Sequence, residues 1–104
     1  MVSDATIFAL ASGIGRAGIA VIRVSGPAAD EALRRLTQRA DLPRPRAVRR
    51  ADFFDGDSKI DSGLVLWFPG PASFTGEDVA ELHVHGGPAV IRAISDTLAK
   101  IPGL

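Results

Sequence analysis

The sequence contains no cysteine, which removes disulfides, thiolate metal sites and cysteine nucleophiles and fits a reducing compartment. It also lacks an excess of either charge. Twelve basic and twelve acidic side chains cancel, so nothing global draws the chain to phosphate backbones or anionic membranes, and any nucleic-acid role needs a local patch. Long apolar runs are missing as well: Gly18–Ile22 and Leu64–Phe68 fall far short of the roughly twenty residues of a membrane span. The opening Met1-Val-Ser-Asp is followed by neither the basic nor the apolar region of a signal peptide. A nucleophile elbow for a Ser/His/Asp triad and the P-loop pattern G-x-x-x-x-G-K-S/T are both absent, so hydrolase chemistry has no local foothold. These absences predict a soluble, cytoplasmic domain with no membrane partner. Its 104 residues suffice for one domain that buries roughly two-thirds of its unfolded surface.

What is present is a clear alternation of periods. The stretches 5–12 and 18–26 are β-branched and apolar and read as strands, the second buried on both faces. From Pro27 the period becomes helical, with Ser25 or Gly26 as cap, Asp30 and Glu31 in the first turn and Arg34, Arg35 and Arg39 toward the end. Ala29, Leu33, Leu36 and Ala40 form its expected inner stripe. Two prolines make 41–48 a connector. Strands follow over 46–55 and 58–68, joined by the turn Asp55-Gly56-Asp57-Ser58. A Pro- and Gly-rich loop leads into a strand at 79–85. A helix from Pro88 to about Ile101 then buries Val90, Ile91, Ile94, Leu98 and Ile101, and Pro102-Gly103 stops it. The order is ββαβββα, an α+β fold with a mixed sheet and two main helices.

Two local signatures invite chemistry. Gly13-Ile-Gly15-Arg-Ala-Gly18 matches the dinucleotide fingerprint, but that mechanism needs a helix N-terminus after the glycines and a strand follows instead. The run reads as a tight hairpin connection whose Arg16 can touch an anion or a second subunit. In "SFTGEDVAELHVHGGP" (73–88), Val79, Glu81, His83 and His85 share one strand face, and Ala80, Leu82 and Val84 share the other. Successive side chains on the polar face lie about 7 Å apart, so all three polar groups cannot hold one metal without help from elsewhere, and no fourth ligand is evident. The remaining readings are satisfied histidines at an edge or interface, and a small-molecule pocket. Arg23 adds weight to the pocket. A guanidinium inside "IAVIRVSG" demands an acceptor, from Glu77, Asp78, Glu81 or a ligand. An Arg–Glu pair flanked by glycine-rich loops is either a structural ion pair or a site for a flat heterocycle offering donors and acceptors.

The segments "GRAGIAVIRVSGP", "LWFPGPASFTGEDVAELHVHGGP" and "IPGL" resemble the N-terminal domain of the tRNA-modification GTPase family MnmE, also called TrmE. The likeness covers essentially the whole chain and is weakest over 37–62. It implies a fold similar to tetrahydrofolate-binding domains of one-carbon enzymes, and a role as folate site and homodimerisation module. The chain then corresponds to one domain, 1–104, excised from a longer protein. The parent would be a GTPase, with GTP, magnesium and potassium handled by a domain absent here and no catalytic residue in this one. Its implied task, with the partner MnmG (GidA), is installing a substituent on the 5-carbon of wobble uridine in tRNA. A 5-formyl- or methylene-tetrahydrofolate would supply the one-carbon unit. The resemblance assigns folate contacts to Arg23 and Glu81. It makes Arg16, Gly18, Ser25, Thr75, Glu77, His85, Gly86 and Gly87 candidate pocket or interface residues. His83 falls at a variable place of the motif. The competing expectation is a dimerisation and interaction module that binds no ligand in isolation.

Overall fold

A computed structural model describes residues 5–11, 18–71, 73 and 75–104. Seven elements follow in the expected order: β1 (Ile7–Leu10), β2 (Ile19–Ser25), α1 (Ala29–Thr37), β3 (Arg49–Asp55), β4 (Ser58–Phe68), β5 (Val79–His85) and α2 (Pro88–Ala99). The fold is α+β as anticipated. The strands make one sheet in the order β1-β2-β5-β4-β3, with all four ladders antiparallel. The only parallel pairing among the described residues is an isolated bridge between Pro45 and Trp67.

One face of the sheet is the core. Ala20, Ile22 and Val24 of β2 stand beside Ala80, Leu82 and Val84 of β5, with Val65 and Trp67 of β4 and Phe53 of β3 continuing the layer. Ala29, Ala32, Leu33 and Leu36 of α1 and Ile94 and Leu98 of α2 close over it. Each fully buried Leu, Ile or Phe contributes about 1.5–3 kcal/mol. Both helices lie against this single layer and touch each other, so no helix among the described residues covers the opposite sheet face. That corrects the two-faced burial expected for β2: Val21 and Arg23 are half-buried and Ile19 is exposed.

Local chemistry sets the boundaries. The helix α1 begins at Ala29 rather than Pro27, because Gly26 at φ 139° is far from helical and the hydroxyl of Ser25 is engaged elsewhere. Its N-terminal N–H groups are served from a distance, the Ala28 N–H donating to Thr6 Oγ1 at 2.7 Å. Gln38, at φ 54°, ends the helix, which leaves Ala40 exposed and outside the predicted stripe. Thr6 also donates its own N–H to the carbonyl of Gly103 at 3.0 Å, so three parts of the chain meet at one buried threonine. The turn Gly56-Asp57 joins β3 and β4 as predicted, with Gly56 at φ 57°. Strand β3 starts at Arg49, later than expected, because residues 44–47 form a turn whose Arg46 N–H donates to Trp67 O at 2.8 Å. Pro88 opens α2 as foreseen, and Ile101 stays buried just past the helix end.

Candidate functional site

The sheet face without helices carries the polar residues singled out in the sequence. Register puts Arg23 of β2 directly opposite Glu81 of β5, which in turn faces Leu66 of β4. The guanidinium donates to Glu81 Oε2 twice, from Nη2 at 2.7 Å and from Nε at 3.1 Å. The second carboxylate oxygen lies 3.2 Å from His83 Nε2. The Glu81 side chain is 11% exposed and that of Arg23 38%. The pair is therefore buried on its acidic side and open on its basic side. Burial pushes the Glu81 carboxyl up, but the hydrogen bonds from Arg23 and His83 and their charges outweigh it and hold the group below the usual carboxylate range. Three of its roughly four acceptor directions are in use.

Along β5 the polar face grades outward, from Val79, fully buried, through Glu81 and half-buried His83 to exposed His85. Two residues along β2 from Arg23, a second cluster forms. Ser25 Oγ lies 3.0 Å from Thr75 Oγ1 and donates to Glu77 Oε2 at 3.4 Å. The loop before β5 is shaped for this: Gly70 N–H donates to Asp78 Oδ1 at 2.9 Å, Glu77 N–H to Thr75 Oγ1 at 3.3 Å, and Gly26 N–H to Asp78 O at 3.0 Å. Ser25, Thr75 and Glu77 are thus brought to the Arg23–Glu81 end of the face.

His85 goes elsewhere. Its backbone N–H and its Nδ1 both meet the carboxylate of Asp61 on β4, at 2.8 and 2.7 Å. Burial raises the Asp61 carboxyl, and the His85 contacts with the Ser62 N–H more than offset that and lower it. Gly86 donates its N–H to Gly18 O at 3.2 Å, and Gly87 is the N-cap of α2. These three residues build the strand-to-helix turn rather than join the Arg23–Glu81 pair. Between the two regions Ile19, Ser62, Gly63, Leu64, His83, Val84 and His85 line a cavity of about 140 Å³. Arg16 lies outside the described residues. No three His, Cys, Asp or Glu side chains converge for a metal among those described. Sequence reasoning missed Asp61, whose partner is 24 positions away and visible only once the β4–β5 register is known, and it missed His83 as the second partner of Glu81.

The family described as GTP-binding protein TrmE N-terminus matches residues 6–102. The chain is 58% identical over 104 residues to the human mitochondrial 5-taurinomethyluridine tRNA synthase subunit GTPB3, covering 98% of this chain and 21% of that protein. It is 54% identical over 101 residues to the zebrafish protein of the same name, with 97% and 20% covered. Over 97 residues it is 57% identical to the tRNA modification GTPase MnmE of Paramagnetospirillum magneticum, with 92% and 22% covered. It spans about a fifth of the length of these relatives. With all seven elements inside the matched range, the chain belongs to the TrmE N-terminal family, the N-terminal part of the MnmE/GTPB3 family of tRNA-modification GTPases.

Proposed function

We propose that this domain binds a tetrahydrofolate derivative and dimerises, in support of GTP-dependent modification of the tRNA wobble uridine by a longer parent protein acting with MnmG. The observation that carries the folate reading is the Arg23–Glu81 pair, half-open to solvent on its Arg23 side, on the sheet face that the helices leave free. A reduced pterin offers an amino group and a ring N–H side by side, which a carboxylate accepts with two oxygens, while a guanidinium donates to a carbonyl or carboxylate. When bound, the folate supplies the one-carbon unit. In the ligand-free arrangement the two residues satisfy each other, so ligand entry exchanges the Arg23 or His83 contact for one to the pterin. Ser25, Thr75 and Glu77 stand next along the face as further polar contacts. GTP, magnesium and potassium belong to the parent's nucleotide domain.

No helix among the described residues is long and apolar enough to cross a membrane. A cytoplasmic setting follows the bacterial relatives, and a mitochondrial one the GTPB3 name. A second reading, a dimerisation module without ligand, draws on the same face, where Ile7, Ile19 and Leu64 are exposed. Calorimetric titration of 5-formyl-tetrahydrofolate into the full-length protein separates the two. Saturable binding that falls about ten- to a hundredfold in Glu81→Ala and in Arg23→Ala, and far less in His83→Ala, supports the folate site. Unchanged affinity in Glu81→Ala removes it and leaves the dimerisation module.

A further inference from the structure

His83 belongs to two places at once. Its Nε2 lies 3.2 Å from Glu81 Oε1, and the same side chain lines the neighbouring cavity of about 140 Å³, together with Ile19, Ser62, Gly63 and Leu64. We propose that His83 is a movable stopper, seated on the second oxygen of Glu81 in the ligand-free arrangement and withdrawing into the cavity to yield that oxygen to a ligand. The proposal rests on the folate reading of the Arg23–Glu81 pair and names the residue that tunes affinity there.

Three observations support it. First, the two oxygens of Glu81 are held unequally. Oε2 takes two donors from one guanidinium, at 2.7 and 3.1 Å, whereas Oε1 takes a single, longer contact from one ring nitrogen. A ligand with two donors side by side needs both oxygens, and the His83 contact is the weaker one to displace. Second, Glu81 is held ionised by its neighbours, so Oε1 only accepts and His83 Nε2 carries the proton that it donates. The imidazole therefore competes with a ligand N–H for the same lone pairs. Third, the ring has room to leave. Its cross-strand neighbours are Val21 of β2 and Leu64 of β4, neither of which can hold a ring nitrogen in place, and Ser62 and Gly63 keep that side of the cavity small-walled. The His83 side chain is 28% exposed on the sheet face without helices, so a change of rotamer does not open the core.

A fixed role is the alternative, with His83 steadying the carboxylate for the ligand and staying where it is. The two roles differ in sign, since removing a support weakens binding and removing a stopper tightens it. Protonation separates them further. A charged imidazole adds its own charge to the bond with Glu81 and is harder to displace. The other charged or titratable groups around it are Arg23 of β2, on the far side of the Glu81 carboxylate, and His85 of β5, engaged by Asp61 of β4. Acid is therefore expected to weaken ligand binding through His83.

The test is calorimetric titration of 5-formyl-tetrahydrofolate into the full-length protein and its variants, with melting temperature and oligomeric state recorded for each. His83→Ala is expected to bind about two- to tenfold tighter, the change that follows from losing one long, half-exposed hydrogen bond. His83→Gln, whose amide N–H can replace the ring N–H, should keep wild-type affinity near pH ~8 but lack the extra fall that wild type shows toward pH ~5.5. Leu64→Phe fills the cavity and should weaken binding at least about threefold with His83 in place, but not in the His83→Ala background. Ile19→Phe, on another wall of the cavity, repeats this measurement if Leu64→Phe lowers the melting temperature. A His83→Ala affinity equal to or weaker than wild type overturns the stopper and leaves the folate site standing, as does a Leu64→Phe loss that is the same in both backgrounds. Unchanged affinity in Glu81→Ala removes the folate site, and the stopper with it.

Discussion

At the residue scale, the Arg23–Glu81 pair is asymmetric, and that asymmetry makes its two halves unequal under mutation. Arg23→Ala strands a carboxylate whose side chain is 11% exposed and which keeps only His83. Glu81→Ala leaves a guanidinium that is 38% exposed and can turn to water. Breaking a wholly buried pair costs about 3–5 kcal/mol. Screening at the open side reduces this to about 1–2 kcal/mol for Arg23→Ala and less for Glu81→Ala. At about 4–8 °C per kcal/mol for a domain of this size, thermal melts resolve the difference, and equal losses would contradict the asymmetry. The same carboxylate sets a pH dependence. Folded Glu81 and Asp61 both titrate below their ordinary values, so the unfolded chain binds more protons than the folded one in the interval between. Their stabilisation is fully present above the ordinary carboxylate range near pH ~4 and is lost as the pH falls through the folded values. Melting temperatures from pH 6 down to 3 should fall more steeply in wild type than in Glu81→Ala, and parallel curves would show that Glu81 contributes nothing.

At the scale of elements, the β4–β5 ladder is held close by the absence of one side chain. A Cβ on Gly63 would stand 2.0 Å from the carbonyl oxygen of His83, a backbone atom that cannot swing away. Gly63→Ala must part the two strands and is expected to cost about 1–3 kcal/mol. Gly18→Ala, with nothing within 4 Å of its Cβ, should stay within about 0.5 kcal/mol. Urea midpoints of the two variants check the contrast, and two equal midpoints would refute it. This ladder also marks the limit of what the sequence could tell. Element order was legible because each segment keeps its period, and the need for an acceptor beside Arg23 was legible because a guanidinium in an apolar strand requires one, though Glu81 was then one candidate beside Glu77, Asp78 and a ligand. The half-open state of β2 was not, since "IAVIRVS" looks the same whether helices cover one sheet face or two. Nor was the His85–Asp61 link, which depends on register across a loop. The start of α1 was misplaced because its N-terminal donor is satisfied by Thr6, 22 positions away.

At the scale of the whole molecule, a five-stranded sheet with its helices on one side leaves a second face where apolar and polar residues alternate and several large apolar side chains are exposed. Ile7 at 66%, Ile19 at 55% and Leu64 at 39% exposure lie on it, flanked by half-buried Val21, Leu66 and Phe68. Apolar surface of this kind marks contact with another macromolecule, and a second copy is the occupant expected here. Sedimentation velocity should show concentration-dependent self-association that Ile19→Asp with Leu64→Asp weakens at least tenfold. A monomer at every concentration, in the full-length protein, would contradict it.

The buried threonine at the start of β1 joins the first strand, the first helix and the last turn. Strand β1 is only four residues long and would be expected to fray early on its own. Because Thr6 N–H is held by Gly103 and Thr6 Oγ1 holds Ala28 N–H, opening at either extremity releases a helix terminus as well. The two ends of the described chain therefore form a single seam that opens as one cooperative unit. Deleting residues 101–104 should accelerate amide hydrogen exchange at Ala28, more than seventy positions away in sequence, together with Thr6 and at a matching rate. Unchanged exchange at Ala28 would mean that the seam opens piecemeal.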